Sequence, residues 1–96
     1  MIIKEQAIKI AEDYVLNRPK PSKIILVLQL EKTIEFELGW VFFYQSKKYI
    51  ETGNLGDSLV GNSPFIVDKR SGEIHVTGTA YPTKKYIQDY LVKNSK

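Results

Sequence analysis

The apolar pattern of this chain centres on the segment Gly39–Gly53, which opens with five large side chains in a row: Trp40, Val41, Phe42, Phe43 and Tyr44. Because successive side chains of a β-strand point to opposite faces, this run places large groups on both faces of a sheet. We therefore predict that Trp40–Ser46 is a central strand covered on both sides. The mostly polar residues that follow, up to Thr52, indicate that the chain then reaches a solvated rim.

Two segments have the spacing of amphipathic helices. The first runs from Ile3 to about Asn17, and its apolar residues recur three and four positions apart: Ile3, Ala7, Ile10, Ala11, Tyr14 and Val15. The sequence Arg-Pro-Lys-Pro at residues 18–21 ends this helix, because proline lacks a backbone N–H and disfavours a helical residue before it. The second helix runs to about Asn94, and Thr83 is predicted as its N-cap. Its apolar face consists of Tyr86, Ile87, Tyr90 and Leu91.

The remaining regular segments predict strands. Ile24–Leu30 is rich in β-branched and other apolar residues. Thr33–Leu38 alternates apolar and acidic residues, which fits either a strand or the end of one that runs into a hairpin turn before Gly39. Pro64–Asp68 and Glu73–Thr77 flank a turn and are expected to pair antiparallel across it. The order α-β-β-β-β-α predicts an α+β fold, in which an N-terminal and a C-terminal helix pack on a four-stranded antiparallel sheet.

The segment Thr52–Asn62 has the composition of a loop, with three glycines, two asparagines and one aspartate. One helical turn is expected within it, at Asp57–Val60. The segment matches neither a P-loop nor a dinucleotide-binding fingerprint, because no Gly-Lys-Ser or Gly-Lys-Thr occurs in it. We therefore interpret it as a long connection that needs unusual backbone angles.

Length and composition predict a single domain over residues 1–96. The chain has no cysteine, which excludes disulfides and thiolate metal sites. Its first residues turn polar at Lys4, unlike a signal peptide, and no apolar run approaches the length of a membrane span. These features favour a cytoplasmic location and predict no membrane partner.

The net charge of +3 does not have the distribution expected of a nucleic-acid-binding protein. The ends of the chain are basic, whereas residues 24–81 carry seven acidic and five basic side chains. Such proteins usually cluster Lys and Arg near exposed aromatic groups, and this chain has two arginines. We therefore expect no nucleic-acid partner.

The sequence offers few groups for catalysis. The one histidine, His75, shares the polar side of its strand with Glu73 and Thr77, and no His/Asp/Glu set has the spacing of metal ligands. Glu35 and Glu37 would lie about 7 Å apart on a strand, a spacing that suits glycoside chemistry but is common on exposed strands. We expect no catalytic residue, no bound metal and no cofactor.

The candidate binding residues lie on the rim after the central strand, where an aromatic side chain is surrounded by mixed charges. Mixed charge around a tyrosine is common at protein-binding surfaces, although an ordinary solvated rim has the same composition. An exposed edge strand could also pair with a second copy of the chain. The candidate residues are Lys47, Lys48, Tyr49, Glu51, Asn54 and Asp57.

A series of linked motifs resembles the immunity protein 35 family, also described as YrhB-like. They are Gly-Trp-Val-Phe at 39–42, Tyr-Ile-Glu-Thr-Gly at 49–53 and the segment from Leu59 to Asp68. The similarity continues through Ser-Gly-Glu-Ile at 71–74, Gly-Thr-Ala at 78–80 and Tyr-Ile-Gln-Asp-Tyr at 86–90. The N-terminal helix also fits the layout of this family.

The resemblance implies a small bacterial protein of a polymorphic-toxin system, which would bind a cognate protein toxin inside the producing cell and block it. It supplies no catalytic residue, because the shared positions are mostly glycines, a proline and core aromatic residues. The leading hypothesis is a non-enzymatic immunity protein that acts by occlusion. The first alternative is a small chaperone-like holdase for unfolded proteins. The second is a small enzyme that uses His75, Glu35 and Glu37.

Overall fold

A computed structural model describes residues 1–18, 24–54, 56 and 63–94 of the chain. In these residues a central sheet lies between two helices, which confirms the predicted α+β fold. The helices are α1 (Lys4–Leu16), α2 (Lys47–Thr52) and α3 (Thr83–Asn94), and a short 3₁₀ helix, η1, spans Leu30–Lys32. The strands are β1 (Leu26–Leu28), β2 (Ile34–Phe36), β3 (Gly39–Phe42), β4 (Tyr44–Ser46), β5 (Phe65–Asp68) and β6 (Ile74–Val76).

The strands of the described segments form two antiparallel sheets. The larger has the order β2-β3-β5-β6, and the smaller consists of β1 and β4. The alternating segment before Gly39 resolves into both of the predicted features, because β2 ends at Phe36 and a two-residue turn at Glu37 and Leu38 leads into β3. The antiparallel pairing of β5 with β6 is as predicted.

The predicted central strand is divided at Phe43 into β3 and β4, which belong to different sheets. On the neighbouring strands, Leu28 lies opposite Tyr44 and Ile34 lies opposite Val41. Leu28 and Ile34 are six positions apart in the sequence, whereas their partners Tyr44 and Val41 are three positions apart. The segment from Leu28 to Ile34 therefore contains three extra residues. The three residues of η1 account for them. The segment β1–η1–β2 is therefore one interrupted arm of a long hairpin, and β3–β4 is the other arm.

Gly39 is required by the close approach of β3 to β5. A Cβ atom at this position would lie 2.1 Å from the carbonyl oxygen of Val67, which is a backbone atom and cannot swing aside. The hairpin turn therefore delivers the chain into the sheet at a residue without a side chain.

The two faces of the sheet form two separate cores, as the run of large residues in the central strand predicts. Trp40, Phe42 and Tyr44 face α1, and they pack with Phe65, Val67 and the buried α1 residues Ala7, Ala11 and Val15. Val41 and Phe43 face α3, together with Phe36, Ile66, Ile87, Tyr90 and Leu91. The alternation of side chains along the consecutive strands β3 and β4 thus supplies both cores.

Other boundaries differ slightly from the sequence predictions. The helix predicted from Ile3 to Asn17 spans Lys4–Leu16, and the C-terminal helix begins at Thr83 itself, one residue before the predicted start. The backbone N–H of Ile3 is satisfied by the side-chain oxygen of Gln6 at 2.9 Å. The helical turn predicted at residues 57–60 lies outside the described residues.

Candidate partner-binding surface

The rim that follows the central strand is a short helix, α2, with a capping group at each end. The Ser46 hydroxyl accepts a hydrogen bond from the backbone N–H of Tyr49 at 3.1 Å and caps the N-terminus. At the other end, Gly53 adopts a left-handed φ of 68°, and its N–H donates to the carbonyl oxygen of Tyr49 at 2.7 Å. The sequence from Ser46 to Gly53 thus stops the strand and ends the helix after six residues.

The small β1–β4 sheet positions α2. Its N-terminal residue, Lys47, donates its backbone N–H to the carbonyl oxygen of Ile25 at 2.8 Å, which extends the β1–β4 ladder into the helix. Immediately before this point, the Ser46 side chain is buried at the junction. The helix is therefore fixed to the end of the hairpin.

The structure brings four of the predicted binding residues together on α2. Lys47, Lys48 and Glu51 are exposed, whereas Tyr49 is half-buried. Lys47 and Glu51 are one turn apart and share a face with Ile50, which is 46% exposed and was not singled out by the sequence.

The other two predicted binding residues follow the helix. Asn54 is exposed, and its side-chain oxygen accepts a hydrogen bond from the N–H of Gly56 at 3.0 Å, so it shapes the following turn. Asp57 lies outside the described residues. The role of all six residues in binding stays a prediction.

A second polar cluster, around Asp68 at the end of β5, was not anticipated from the sequence. Asp68 is 2% exposed, and its carboxylate accepts hydrogen bonds from Arg70 Nε at 3.1 Å and Arg70 Nη2 at 2.8 Å. The Tyr90 hydroxyl of α3 donates to Asp68 Oδ2 at 2.5 Å. Arg70 Nη2 also donates to the side-chain oxygen of Asn94 at 3.1 Å. We call these four residues the α3 clamp, because they join the end of β5 to the last two turns of α3.

The electrostatics of the α3 clamp follow from its burial and its charges. The hydrogen bonds from Arg70 hold the pKa of the Asp68 carboxyl well below its usual range, against the opposing effect of burial. Burial, together with the hydrogen bond to Asp68, raises the pKa of Tyr90 to about 12. Since both carboxylate oxygens are engaged, Asp68 is suited to holding α3 in place.

The residues of the enzyme hypothesis are not brought together. Glu35 lies in β2 and His75 in β6, on opposite edges of the four-stranded sheet and therefore at least about 14 Å apart. Their paired neighbours also place them on opposite faces, with Glu35 beside Trp40 and His75 beside Ile66. The Glu35 carboxylate forms an exposed ion pair with Lys69 at 3.8 Å, and the His75 ring lies 5.2 Å from the ring of Tyr90.

Residues 1–18, 24–54, 56 and 63–94 contain neither a metal-ligand cluster nor a membrane-spanning helix. No group of three or more His, Asp or Glu side chains in these ranges is arranged to hold a metal ion. Within the same ranges, no helix combines the length and apolar character needed to cross a membrane.

The sequence of the chain is similar to one curated relative and to one family model. Over 60 residues, the chain is 48% identical to the uncharacterized protein YrhB of Escherichia coli (strain K12). The aligned segment covers 62% of this chain and 64% of YrhB, so it spans less than two thirds of that relative. No solved structure matches the chain. The sequence model of immunity protein 35 matches residues 5–89, nearly the whole chain, and the protein therefore belongs to the immunity protein 35 family.

Proposed function

We propose that this protein is a non-enzymatic immunity protein that binds a cognate toxin of a polymorphic-toxin system and blocks it by occlusion. The observation that carries the proposal is the family match over residues 5–89, which includes all of α2. The proposed contact surface is α2 with the turn that follows it. Its residues are Lys47, Lys48, Tyr49, Glu51, Asn54 and Asp57.

The geometry of α2 supports this choice of surface. The helix is capped at both ends and anchored to the hairpin, so its exposed side chains are held in a defined arrangement before a partner arrives. A preformed surface loses less conformational entropy on binding than a flexible loop. Exposed charges of both signs around Ile50 combine an apolar contact with electrostatic selection of the partner.

The experiment begins with a tagged protein used to isolate its partner from native lysate at low and moderate salt. The partner is identified, and its toxicity is measured in a host with and without co-expression of this protein. We expect one stoichiometric partner whose toxicity is neutralised. Because rim charges speed association, we also expect slower association at higher salt.

A charge-swap pair of variants tests the surface itself. The double variant Lys47→Glu/Glu51→Lys exchanges two exposed charges one turn apart on α2 and preserves net charge. The matched control is Lys85→Glu/Asp89→Lys, which exchanges an exposed pair with the same spacing on α3, 3.5 Å apart. We expect the α2 swap to weaken toxin binding at least tenfold and the α3 swap to leave it unchanged.

The negative results of these experiments distinguish a wrong contact surface from a wrong function. Equal effects of the two swaps, with neutralisation intact, would reject α2 as the contact surface but leave the immunity function standing. Capture of many unrelated unfolded chains, together with suppression of their aggregation, would support the holdase alternative instead. Toxicity that persists on co-expression with the partner would reject immunity to that toxin.

A further inference from the structure

We propose that the groove between α1 and the outer edge of β1 binds a short extended protein segment with alternating apolar and basic side chains, which adds to β1 as a new strand. We call this the α1–β1 groove. Its volume is 360 Å³, and it is lined by Glu12, Asp13, Val15, Leu16, Leu26, Val27, Leu28 and Leu30. This surface is separate from the proposed α2 contact, and the proposal does not depend on the partner being a toxin.

The walls of the groove expose apolar surface to an unusual degree. Leu16 is 70% exposed and Leu30 is 47% exposed. Exposed apolar surface beside a strand edge is characteristic of sites that bind another protein segment.

The backbone of β1 presents hydrogen-bonding groups toward the groove. Lys47 N–H donates to the carbonyl oxygen of Ile25, and Gln29 N–H donates to the carbonyl oxygen of Phe43, so the odd-numbered residues of the segment 25–29 bond toward the β4 side. In an antiparallel ladder the alternate residues point their N–H and C=O groups the other way, which places those of Leu26 and Leu28 at the outer edge. Among the described residues, β4 is the strand that pairs with β1. The outer edge therefore has the geometry used in β-strand addition.

The charge at the rim selects the occupant. Glu12 and Asp13 line the groove on the α1 side, and both are exposed. A second copy of the chain, paired edge to edge, would bring two such acidic rims together, and this repulsion disfavours a homodimer here. A segment with Lys or Arg beside its apolar residues complements the rim instead.

The interruption by η1 limits the length of the added strand. The ladder of β1 covers Leu26–Leu28 and is followed directly by the 3₁₀ turn, so about three residues, or about 10 Å, of new strand can be accommodated. With so few main-chain hydrogen bonds, the side chains that enter the groove and meet the acidic rim decide specificity.

The test uses synthetic peptides with the purified full-length protein. An eight-residue peptide that alternates Lys with Val or Leu is compared with a peptide in which each Lys is replaced by Glu. Amide NMR shifts and hydrogen exchange are followed during titration. We expect the Lys peptide alone to bind, and at saturation to slow exchange of the Leu26 and Leu28 amides at least tenfold.

Two double variants isolate the rim charges. Glu12→Lys/Asp13→Lys should weaken binding of the Lys peptide at least tenfold. The matched control, Glu37→Lys/Glu73→Lys, makes the same change in net charge at exposed positions elsewhere and should leave binding within twofold. Leu16→Gln removes one apolar wall of the groove without a change of charge and should also weaken binding. This variant replaces the charge variant in the test if the charge variant does not fold.

Several results would overturn the proposal. They are equal binding of the Lys and Glu peptides, no binding of either at millimolar concentration, and NMR shifts centred away from β1. Dimerisation of the peptide-free protein with protection of the β1 edge would assign the edge to a second copy. Neither the peptides nor the variants touch α2, so failure here leaves the proposed toxin contact open, and failure of the toxin contact leaves this groove open.

Discussion

The two faces of the central sheet are held to their helices in different ways. On one face, α1 approaches closely through the small, fully buried side chains of Ala7 and Ala11. On the other, α3, all of whose backbone the structure describes, has no residue that is buried, and it reaches the sheet through the long side chains of Ile87, Tyr90 and Leu91. The first contact is dense and apolar. The second is looser and is supplemented by the α3 clamp.

This difference shows that a small chain can stabilise two cores by different kinds of interaction. Close packing supplies most of the stability on the α1 side, because apolar burial scales with the area removed from water. On the α3 side a buried carboxylate accepts hydrogen bonds from Arg70 and Tyr90, and Arg70 in turn donates to Asn94, which fixes the position of the helix. We therefore expect the α1 side to respond to changes in side-chain volume and the α3 side to changes in charge and pH.

The largest expected effect is a cavity in the α1-side core. Phe65 is fully buried and its ring lies 4.5 Å from that of Tyr14, 5.9 Å from Phe42 and 6.2 Å from Tyr44. Phe65→Ala should lower the free energy of unfolding by about 3–5 kcal/mol, measured by urea denaturation. The matched change on the α3 side, Phe36→Ala, should cost about 3 kcal/mol, at the low end of that range. A larger loss of unfolding free energy for Phe36→Ala than for Phe65→Ala would show that the α3-side core is the more sensitive to side-chain volume.

The next effect concerns the charge at the centre of the α3 clamp. Asp68→Asn keeps the shape of the side chain but removes the charged acceptor for Arg70 and Tyr90. We expect a loss of about 2 kcal/mol, and hydrogen exchange should accelerate in α3 more than in α1. Asp89→Asn, which alters the exposed pair with Lys85 on the same helix, should change stability by less than about 0.5 kcal/mol. Uniform acceleration in both helices would show that the clamp stabilises the whole domain.

The pH dependence should also belong to the α3 side. Because the folded-state pKa of Asp68 is depressed, its contribution is present above about pH 4 and is lost as the pH falls toward the folded-state pKa. The pKa of Tyr90 is raised to about 12, so its contribution is present below about pH 10 and is lost as the pH rises toward 12.

Denaturation series across pH check both limbs. Asp68→Asn should flatten the acid limb, and Tyr90→Phe should flatten part of the alkaline limb. Burial also raises the pKa of Tyr44, so the difference between the wild-type protein and Tyr90→Phe is the relevant quantity on the alkaline side. An acid limb that is unchanged in Asp68→Asn would assign the pH dependence to other carboxylates.

The smallest effect is expected where α3 begins. The Tyr86 hydroxyl accepts hydrogen bonds from the N–H groups of Ala80 at 3.2 Å and Tyr81 at 3.3 Å, both exposed. Tyr86→Phe should therefore cost about 0.5–1 kcal/mol in thermal or urea unfolding. Tyr81→Phe, at an exposed ring, should stay within about 0.5 kcal/mol. A cost above about 2 kcal/mol for Tyr86→Phe would mean that this turn supports α3 as strongly as the clamp does.

The parts of the fold that sequence reasoning predicted are those set by local periodicity. The spacing of Ala7, Ala11 and Val15 specifies the buried stripe of α1, and five large residues in succession require cover on both faces of a strand. The register of β1, and the three extra residues of η1 that separate it from β2, could not be predicted in the same way. Ile24–Leu30 is too uniformly apolar to fix a register, and the pairing partner that fixes it is more than ten residues away.

The candidate sites also differ in whether local sequence signals or distant contacts form them. Ser46 and Gly53 are recognisable helix-capping residues, and they bracket α2 in the sequence, but six residues carry too little periodicity to predict a helix. Asp68 is predicted as the last residue of a strand. Its hydrogen bond to Tyr90 spans 22 positions and has no signal in a single sequence. The α3 clamp could therefore be identified only from the tertiary structure.

The 3₁₀ turn of Leu30–Lys32 bears on the solubility of the protein. Without it, the arm from Leu26 to Phe36 would be one long, largely apolar strand at the edge of the hairpin, the type of edge from which cross-β aggregates grow. The turn divides that edge into two pieces of three residues each and places two exposed charges, Glu31 and Lys32, between them. We therefore expect that this irregularity, which weakens the hairpin ladder, also makes the edge a poorer template for fibril growth.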